Sequence, residues 1–150
     1  MTRQEFSSQL AAIRKATDIK IKDLCYALDV LQDAIYRLEA GRFNYDTNRM
    51  LAYCQCVGIE LEIHYADTDV IIDNYDTLLN TIIDVRKSAG HTQHSIASAI
   101  GMTQHAIAFM EIQKSALTID VMLKICDTCG AVITIKKKGG EACGLENQQN

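Results

Sequence analysis

Residues 90–115 read GHTQHSIASAIGMTQHAIAFMEIQKS, and the fold class follows from how this stretch is parsed. It predicts two short helices separated by a tight turn. Thr92 is placed to cap the first helix, its hydroxyl accepting from the free amides of the opening turn. Ile96, Ala97 and Ile100 recur at helical spacing and give that helix an apolar edge. Gly101 follows, the residue type that closes a helix in left-handed geometry. Thr103 is positioned to cap a second helix, whose buried face is Ile107 and Met110. Gln104, His105 and Ala108 fall on its other side. Small residues at Ala97 and Gly101 let the two helices cross closely at a steep angle. On these features alone the stretch is a helical hairpin in an all-helical domain.

Composition agrees with a helical reading. The chain has 150 residues, 48% hydrophobic and 23% charged, with no proline and eight glycines. Such a chain folds, and it favours helices over a turn-rich β protein. A net charge of -4 counts against a uniformly basic nucleic-acid binder, although a local basic face can sit on an acidic protein. No apolar run approaches a membrane span, and the first residues lack a signal-peptide pattern, so a cytoplasmic protein is expected.

Outward from the hairpin, Arg86, Gln93, Ala97, Gly101, Thr103, Ile107 and Glu111 stand at a spacing that resembles the phage-repressor-type (XRE/Cro) helix-turn-helix family. The resemblance extends from about Leu78 to about Lys137. It implies that the second helix of the motif lies in a DNA major groove.

The chain also matches itself at an offset of 72. Arg14-Lys15 falls on Arg86-Lys87, Gln32 on Gln104, Ala34-Ile35 on Ala106-Ile107, and Glu39 on Glu111. Met50-Leu51 falls on Met122-Leu123, Cys54 on Cys126, Gly58 on Gly130, and Ile63 on Ile135. No gap is needed from about Phe6 to Tyr65. Such register implies a tandem duplication. The first copy departs from the family pattern in its own motif, at about Ile21 to Leu38. Ile21 replaces the usual glutamine, Cys25 the small alanine, and Asp29 the turn glycine. Asp tolerates left-handed geometry better than most residues.

A fourth helix is predicted at about Asp46 to Val57, closed by Gly58. The run IELEIHY then alternates apolar Ile59, Leu61 and Ile63 with polar Glu60, Glu62 and His64, the period of a strand. The second copy ends alike, with Gly130 followed by AVITIKKK. A strand in that place resembles the Hip-type antitoxin regulators, a branch in which such strands pair between units. The expected fold is therefore mainly α: two lambda-repressor-like units, each followed by a short strand. The strands, residues 59–65 and 131–137, pair as a small antiparallel sheet, because a lone strand leaves its backbone groups unpartnered. The expected organisation is a first repeat over 1–65, a linker over 66–76, a second repeat over 77–137 and a disordered tail over 138–150. Val70, Ile71 and Ile72 in the linker are expected to pack into the first repeat, with Asp67, Asp69, Asp73 and Asp76 solvated or starting a helix.

By resemblance, Gln93 contacts a phosphate and braces the recognition helix. Thr103, Gln104 and His105, with Ala108, lie where side chains reach base edges, and Gln pairs bidentately with adenine. Lys114 reaches the DNA backbone. The matching positions of the first copy offer Gln32 and Asp33, with Tyr36, Arg37 and Arg42 nearby. Asp33 faces phosphates unfavourably but can accept from a cytosine amine.

Cys126 and Cys129 form a CxxC, and Cys54 and Cys56 a CxC. Cys54 and Cys126 match in register, which reads as small buried hydrophobes; a metal or redox role is the alternative. His91 stands where the family usually has leucine, and His94 and His105 face the DNA side. No nucleophile, base and orienting acid recur at a catalytic spacing, and no glycine-rich phosphate loop is present. No catalytic residue, metal or cofactor is expected. Double-stranded DNA is the expected partner of a sequence-specific transcriptional regulator, a monomeric pseudo-dimer or a homodimer. The alternative is a protein-interaction module, antitoxin-like or an adaptor with a partner such as a toxin, in which one or both motifs no longer read DNA. The acidic balance and the altered first motif favour it.

Overall fold

Thr2 and Glu5 start the first helix with a reciprocal capping box: the Thr2 hydroxyl accepts from the Glu5 amide, and the Glu5 carboxylate from the Thr2 amide. The computed structural model describes residues 1–139. That helix, α1 (Arg3–Ala16), leads into α2 (Ile21–Leu28), α3 (Gln32–Glu39), α4 (Thr47–Val57), β1 (Ile59–Tyr65) and β2 (Thr68–Ile72). Then come α5 (Tyr75–Ser88), α6 (Gln93–Ile100), α7 (Gln104–Glu111), α8 (Ile119–Cys129) and β3 (Val132–Lys137). Each of α5 to α8 begins and ends 72 residues after α1 to α4. The left-handed backbone positions recur at the same offset. Asp18 pairs in this way with Gly90, Asp29 with Gly101, Gly41 with Gln113, and Gly58 with Gly130.

The core is one continuous cluster. Phe6, Leu10, Leu24, Ile35 and Met50 from the first half join Leu78, Ile82, Ile96, Ile107 and Met122 from the second. Ile59, Leu61 and Ile63 of β1 are buried between them, and Glu60, Glu62 and His64 face outward, as the alternation predicts.

Two antiparallel contacts tie the halves together, and their register is informative. β1 pairs with β3 so that Glu62 lies opposite Thr134, Leu61 opposite Ile135 and Ile63 opposite Ile133. Residue 134 is residue 62 plus 72, so the pairing is centred on equivalent positions. A second bridge joins Asp46 to Thr118, again 72 apart. Around it the Thr47 amide donates to the Leu117 carbonyl at 2.9 Å, and the Ile119 amide to the Tyr45 carbonyl at 2.9 Å. Each half thus offers the other the same donor and the same acceptor. Side chains reinforce the contact, with the Thr47 hydroxyl on the Leu117 carbonyl and the Arg3 guanidinium on Asp120.

The segment expected as a linker contains β2, and the sheet has three strands in the order β2-β1-β3. Ala66 and Asp67 take φ of 47° and 60°, the left-handed pair that a two-residue hairpin turn requires. Val70 and Ile72 then oppose Ile63 and Leu61 on the core face. Ile71, 54% exposed, interrupts the apolar-polar alternation that would have flagged a strand. Two boundaries also shift: α5 starts at Tyr75, capped by Asn74, and β3 starts at Val132. Lys138 and Gly139 form a turn, and the rest of the expected tail lies outside the described residues. Among the described residues, no helix is long and apolar enough to cross a membrane.

Candidate nucleic-acid interface

The motif of the second half is built as its residues dictate. Thr92 and Ser95 cap α6 reciprocally, and Gly101 ends it at φ 77°. The Met102 amide returns to the Ala97 carbonyl at 2.8 Å, which turns the chain sharply. The Thr103 hydroxyl then accepts from the Ala106 amide and starts α7. Ile96, Ala97, Ile100, Ile107 and Met110 are buried where the two helices meet. Gln104 and His105 are left exposed at the start of α7, and Ala108 is half-buried. The His105 ring lies 4.2 Å from the Phe109 ring, and the Lys114 ammonium stands 6.0 Å from that ring on its other neighbour side in sequence. The outer face of α7 therefore carries an amide, an imidazole, an aromatic ring and a cation.

Beneath this face lies an ion pair. The Arg86 guanidinium donates to Glu111 through Nε at 2.7 Å and a terminal nitrogen at 2.9 Å, and its remaining terminal nitrogen donates to the His91 carbonyl at 2.8 Å. The two side chains are only 7% and 9% exposed. Gln93 donates its amide to Glu111 at 2.9 Å and accepts from Gln104 at 3.3 Å. Gln93 is half-buried between the ion pair and Gln104. One N–H of its amide goes to Glu111. In this geometry α5, α6 and α7 are locked to one another through a single carboxylate.

The first half carries the same pair and a different brace. Arg14 donates to Glu39 at 2.5 and 2.9 Å and to the Ile19 carbonyl at 2.9 Å. The hydrogen bond to Glu39 raises the Arg14 pKa above its ordinary value, against the opposing effect of burial. Ile21 stands where the second half has Gln93, and the Tyr53 hydroxyl takes over by donating to Glu39 at 2.5 Å. Burial and that hydrogen bond push the Tyr53 phenol well above the usual tyrosine range.

The outer face of this first motif is different chemistry. Neither α2 nor α3 has a side-chain cap, because Lys20 and Leu31 occupy the cap positions. Asp29 adopts φ 56°, so an aspartate fills the left-handed turn in place of glycine. Gln32, Asp33, Arg37 and Arg42 are exposed, with the Arg37 guanidinium 5.1 Å above the Phe43 ring. Tyr36 is also exposed, and Tyr26 and Leu31 are 91% and 81% exposed. The second half has Ser98, Thr103 and Ala108 at those three places.

The structure thus gathers Gln93, Thr103, Gln104, His105, Ala108 and Lys114 around one helix, and Gln32, Asp33, Tyr36, Arg37 and Arg42 around its counterpart. Sequence reasoning missed the two buried ion pairs, the ring contacts of Phe109 and Phe43, and the exposure of Tyr26. The recurrence of Arg14 and Glu39 at Arg86 and Glu111 was the available signal for the pairs: charged residues kept at matching positions 25 apart point to contact. His91 is half-buried and shares a hydrogen bond with the Ser95 hydroxyl. Cys54 and Cys126 are buried, and desolvation pushes both thiols up to about 12. Cys56 is exposed. Among the described residues, no three His, Cys, Asp or Glu side chains stand together as a metal site; Cys143 lies outside them.

Comparison with known proteins fits this geometry. Residues 82–132 match the family described as Helix-turn-helix, a span running from within α5 to the start of β3. Residues 82–132 therefore form a helix-turn-helix domain. No curated protein and no solved structure matches the chain.

Proposed function

We propose that this chain is a cytoplasmic, non-catalytic regulator of the XRE type that binds double-stranded DNA through two unlike helix-turn-helix units arranged as an intramolecular pseudo-dimer. The observation that carries the reading is the exposed start of α7, where Gln104 and His105 face solvent while Gln93 and Glu111 hold the helix from behind. A rigid helix with exposed polar side chains at its N-terminal end is what major-groove reading requires. The pseudo-dimer rests on the register. Two antiparallel contacts centred on residues 72 apart are what a twofold axis between like units produces. Strands after the fourth helix of each unit favour the Hip-type branch. Because α3 and α7 carry different exposed residues, the DNA site has two non-identical halves.

Duplex binding as a function of salt tests this. Phosphate contacts give a steep fall of log affinity with log salt. Gln104→Ala should relax base preference and cost about 1–3 kcal/mol at one position, and Lys114→Ala should weaken all sequences alike and flatten the slope by about one. Binding of random duplex that neither variant alters would remove the proposed face.

A second reading is supported by the first motif alone. Tyr26, Leu31 and Tyr36 form an exposed apolar set where the second motif is small or polar. In that reading the first unit contacts a protein, antitoxin-like, and only the second contacts DNA. Loss of DNA affinity on Gln104→Ala with none on Gln32→Ala or Arg37→Ala would favour it.

A further inference from the structure

The approximate symmetry of the fold leaves one position unfilled. β1 has two neighbours, β3 on one edge and β2 on the other. β3 has only β1, and nothing among the described residues pairs with its outer edge. The Lys138 amide donates to the Gly58 carbonyl, so residues 138, 136, 134 and 132 direct their backbone groups to β1. Those of Ile133, Ile135 and Lys137 therefore point away from it. Their equivalents in the first half are Leu61, Ile63 and Tyr65, which pair with Ile72, Val70 and Thr68 of β2.

Burial follows the same asymmetry. Leu61 and Ile63 are fully buried, whereas Ile133 and Ile135 are only half-buried and Val132 is 55% exposed. A cleft of about 210 Å³ opens beside the start of β3, lined by Met1, Leu123, Cys126, Asp127, Ala131 and Ile133. The corresponding place in the first half, beside Leu51, Cys54 and Ile59, is also open, at about 280 Å³, and buried Ile72 of β2 forms one of its walls. Beside β3 no edge-strand residue among the described residues supplies the wall that Ile72 supplies beside β1. The residues that follow β3 in sequence, Gly140 to Gly144, offer glycine where β2 has Ile72. Charge selects further. Lys137 and Lys138 form no ion pair among the described residues, whereas Lys136, which stands where β1 has His64, is already held by Glu60 at 3.5 Å and Glu62 at 3.7 Å.

We propose that the outer edge of β3 and its cleft accept an extended segment of another protein, paired antiparallel, with apolar residues opposite Ile135 and Ile133 and an acidic residue just before them, towards the unpaired Lys137 and Lys138. The pattern is acid, apolar, any, apolar, of which Asp69-Val70-Ile71-Ile72 is the example within this chain. Main-chain hydrogen bonds to Ile133, Ile135 and Lys137 supply affinity, and the last apolar residue, seated in the cleft, supplies selection. This surface is separate from α7 and operates whether or not the chain binds DNA.

The probe is a fluorescein-labelled peptide of sequence DTDVIID titrated into the full chain, with backbone amide shifts recorded on labelled protein. Saturable binding is expected, with shifts confined to residues 131–138 and the side of α8 that bears Leu123 and Cys126. Replacing the last isoleucine of the peptide by glycine should weaken binding by about tenfold or more. Ala131→Phe should fill the cleft and weaken it similarly. Lys137→Pro removes an outward amide while sparing the β1 ladder and should weaken it more than Lys137→Ala, which serves as the folded control. No saturation, shifts centred on β1 instead, or an unchanged affinity for the glycine peptide would each overturn the proposal. So would a concentration-dependent dimer abolished by Lys137→Pro, which assigns the edge to a second copy. Amides of Ile133, Ile135 and Lys137 already slow to exchange in the free monomer would give the edge to residues 140–150 and overturn it as well.

Discussion

Glu111→Ala should be among the most damaging single changes in the second half. The substitution removes both acceptors of Arg86 and leaves a guanidinium that is 7% exposed with one remaining partner, the His91 carbonyl. It also frees Gln93 from its donor contact. Breaking a buried pair from one side costs about 3–5 kcal/mol. The slight exposure of both partners argues for the low end, about 3 kcal/mol. For a chain of this size each kcal/mol lowers the midpoint by about 2–4 °C, so a fall of about 6–12 °C is expected in calorimetry. The companion variant replaces both partners, Arg86→Met with Glu111→Leu. An apolar pair of similar volume leaves no stranded charge, so the double variant should lie well above the sum of the single losses. The partly exposed contact of Lys136 with Glu60, at the longer distance of 3.5 Å, provides the contrast and should be worth about 1 kcal/mol or less. A loss below about 1 kcal/mol for Glu111→Ala, or strict additivity in the cycle, would refute the claim that this carboxylate locks α5, α6 and α7 together.

Other outcomes follow from the same geometry. Thr134→Pro removes an amide directed at β1 and should loosen the halves, seen as faster amide exchange in β1 at unchanged molecular mass; Ile133→Pro should spare those amides. Ala97→Leu should overpack the crossing of α6 and α7 and cost about 1–3 kcal/mol in denaturant unfolding, because Ala97 is fully buried there. At neutral pH an alkylating reagent should label Cys56 and leave Cys54 and Cys126 intact in the native chain, since burial holds both thiols protonated. The sign of the linkage is fixed: their folded pKa of about 12 lies above the ordinary 9, so stability is full below 9 and declines as pH rises towards 12.

What the sequence determined by itself is local or repeated. The caps at Thr92 and Thr103, the left-handed turn at Gly101 and the apolar faces of α6 and α7 depend on spacing within a few residues, and all are found as read. The alternation of IELEIHY marked β1, and the offset of 72 marked equivalent elements, because both signals are periodic. The antiparallel pairing of β1 with β3 could also be argued beforehand, since a lone strand needs a partner. Tertiary structure decided the rest. β2 was hidden because Val70, Ile71 and Ile72 are all apolar, and only the tight turn at Ala66 and Asp67 together with the waiting edge of β1 makes them a strand. The same holds for Gln93. Resemblance gave it a phosphate contact and a brace on the recognition helix, but the side chains it touches, Glu111 and Gln104, lie 18 and 11 residues away. Tyr53 replaces it against Glu39 in the first half from another helix altogether, a substitution of function between positions that no register links. Centring the halves on Asp46 with Thr118 and on Glu62 with Thr134 needed the folded chain as well, because it depends on which backbone groups face each other across the molecule, and composition and period carry no record of that.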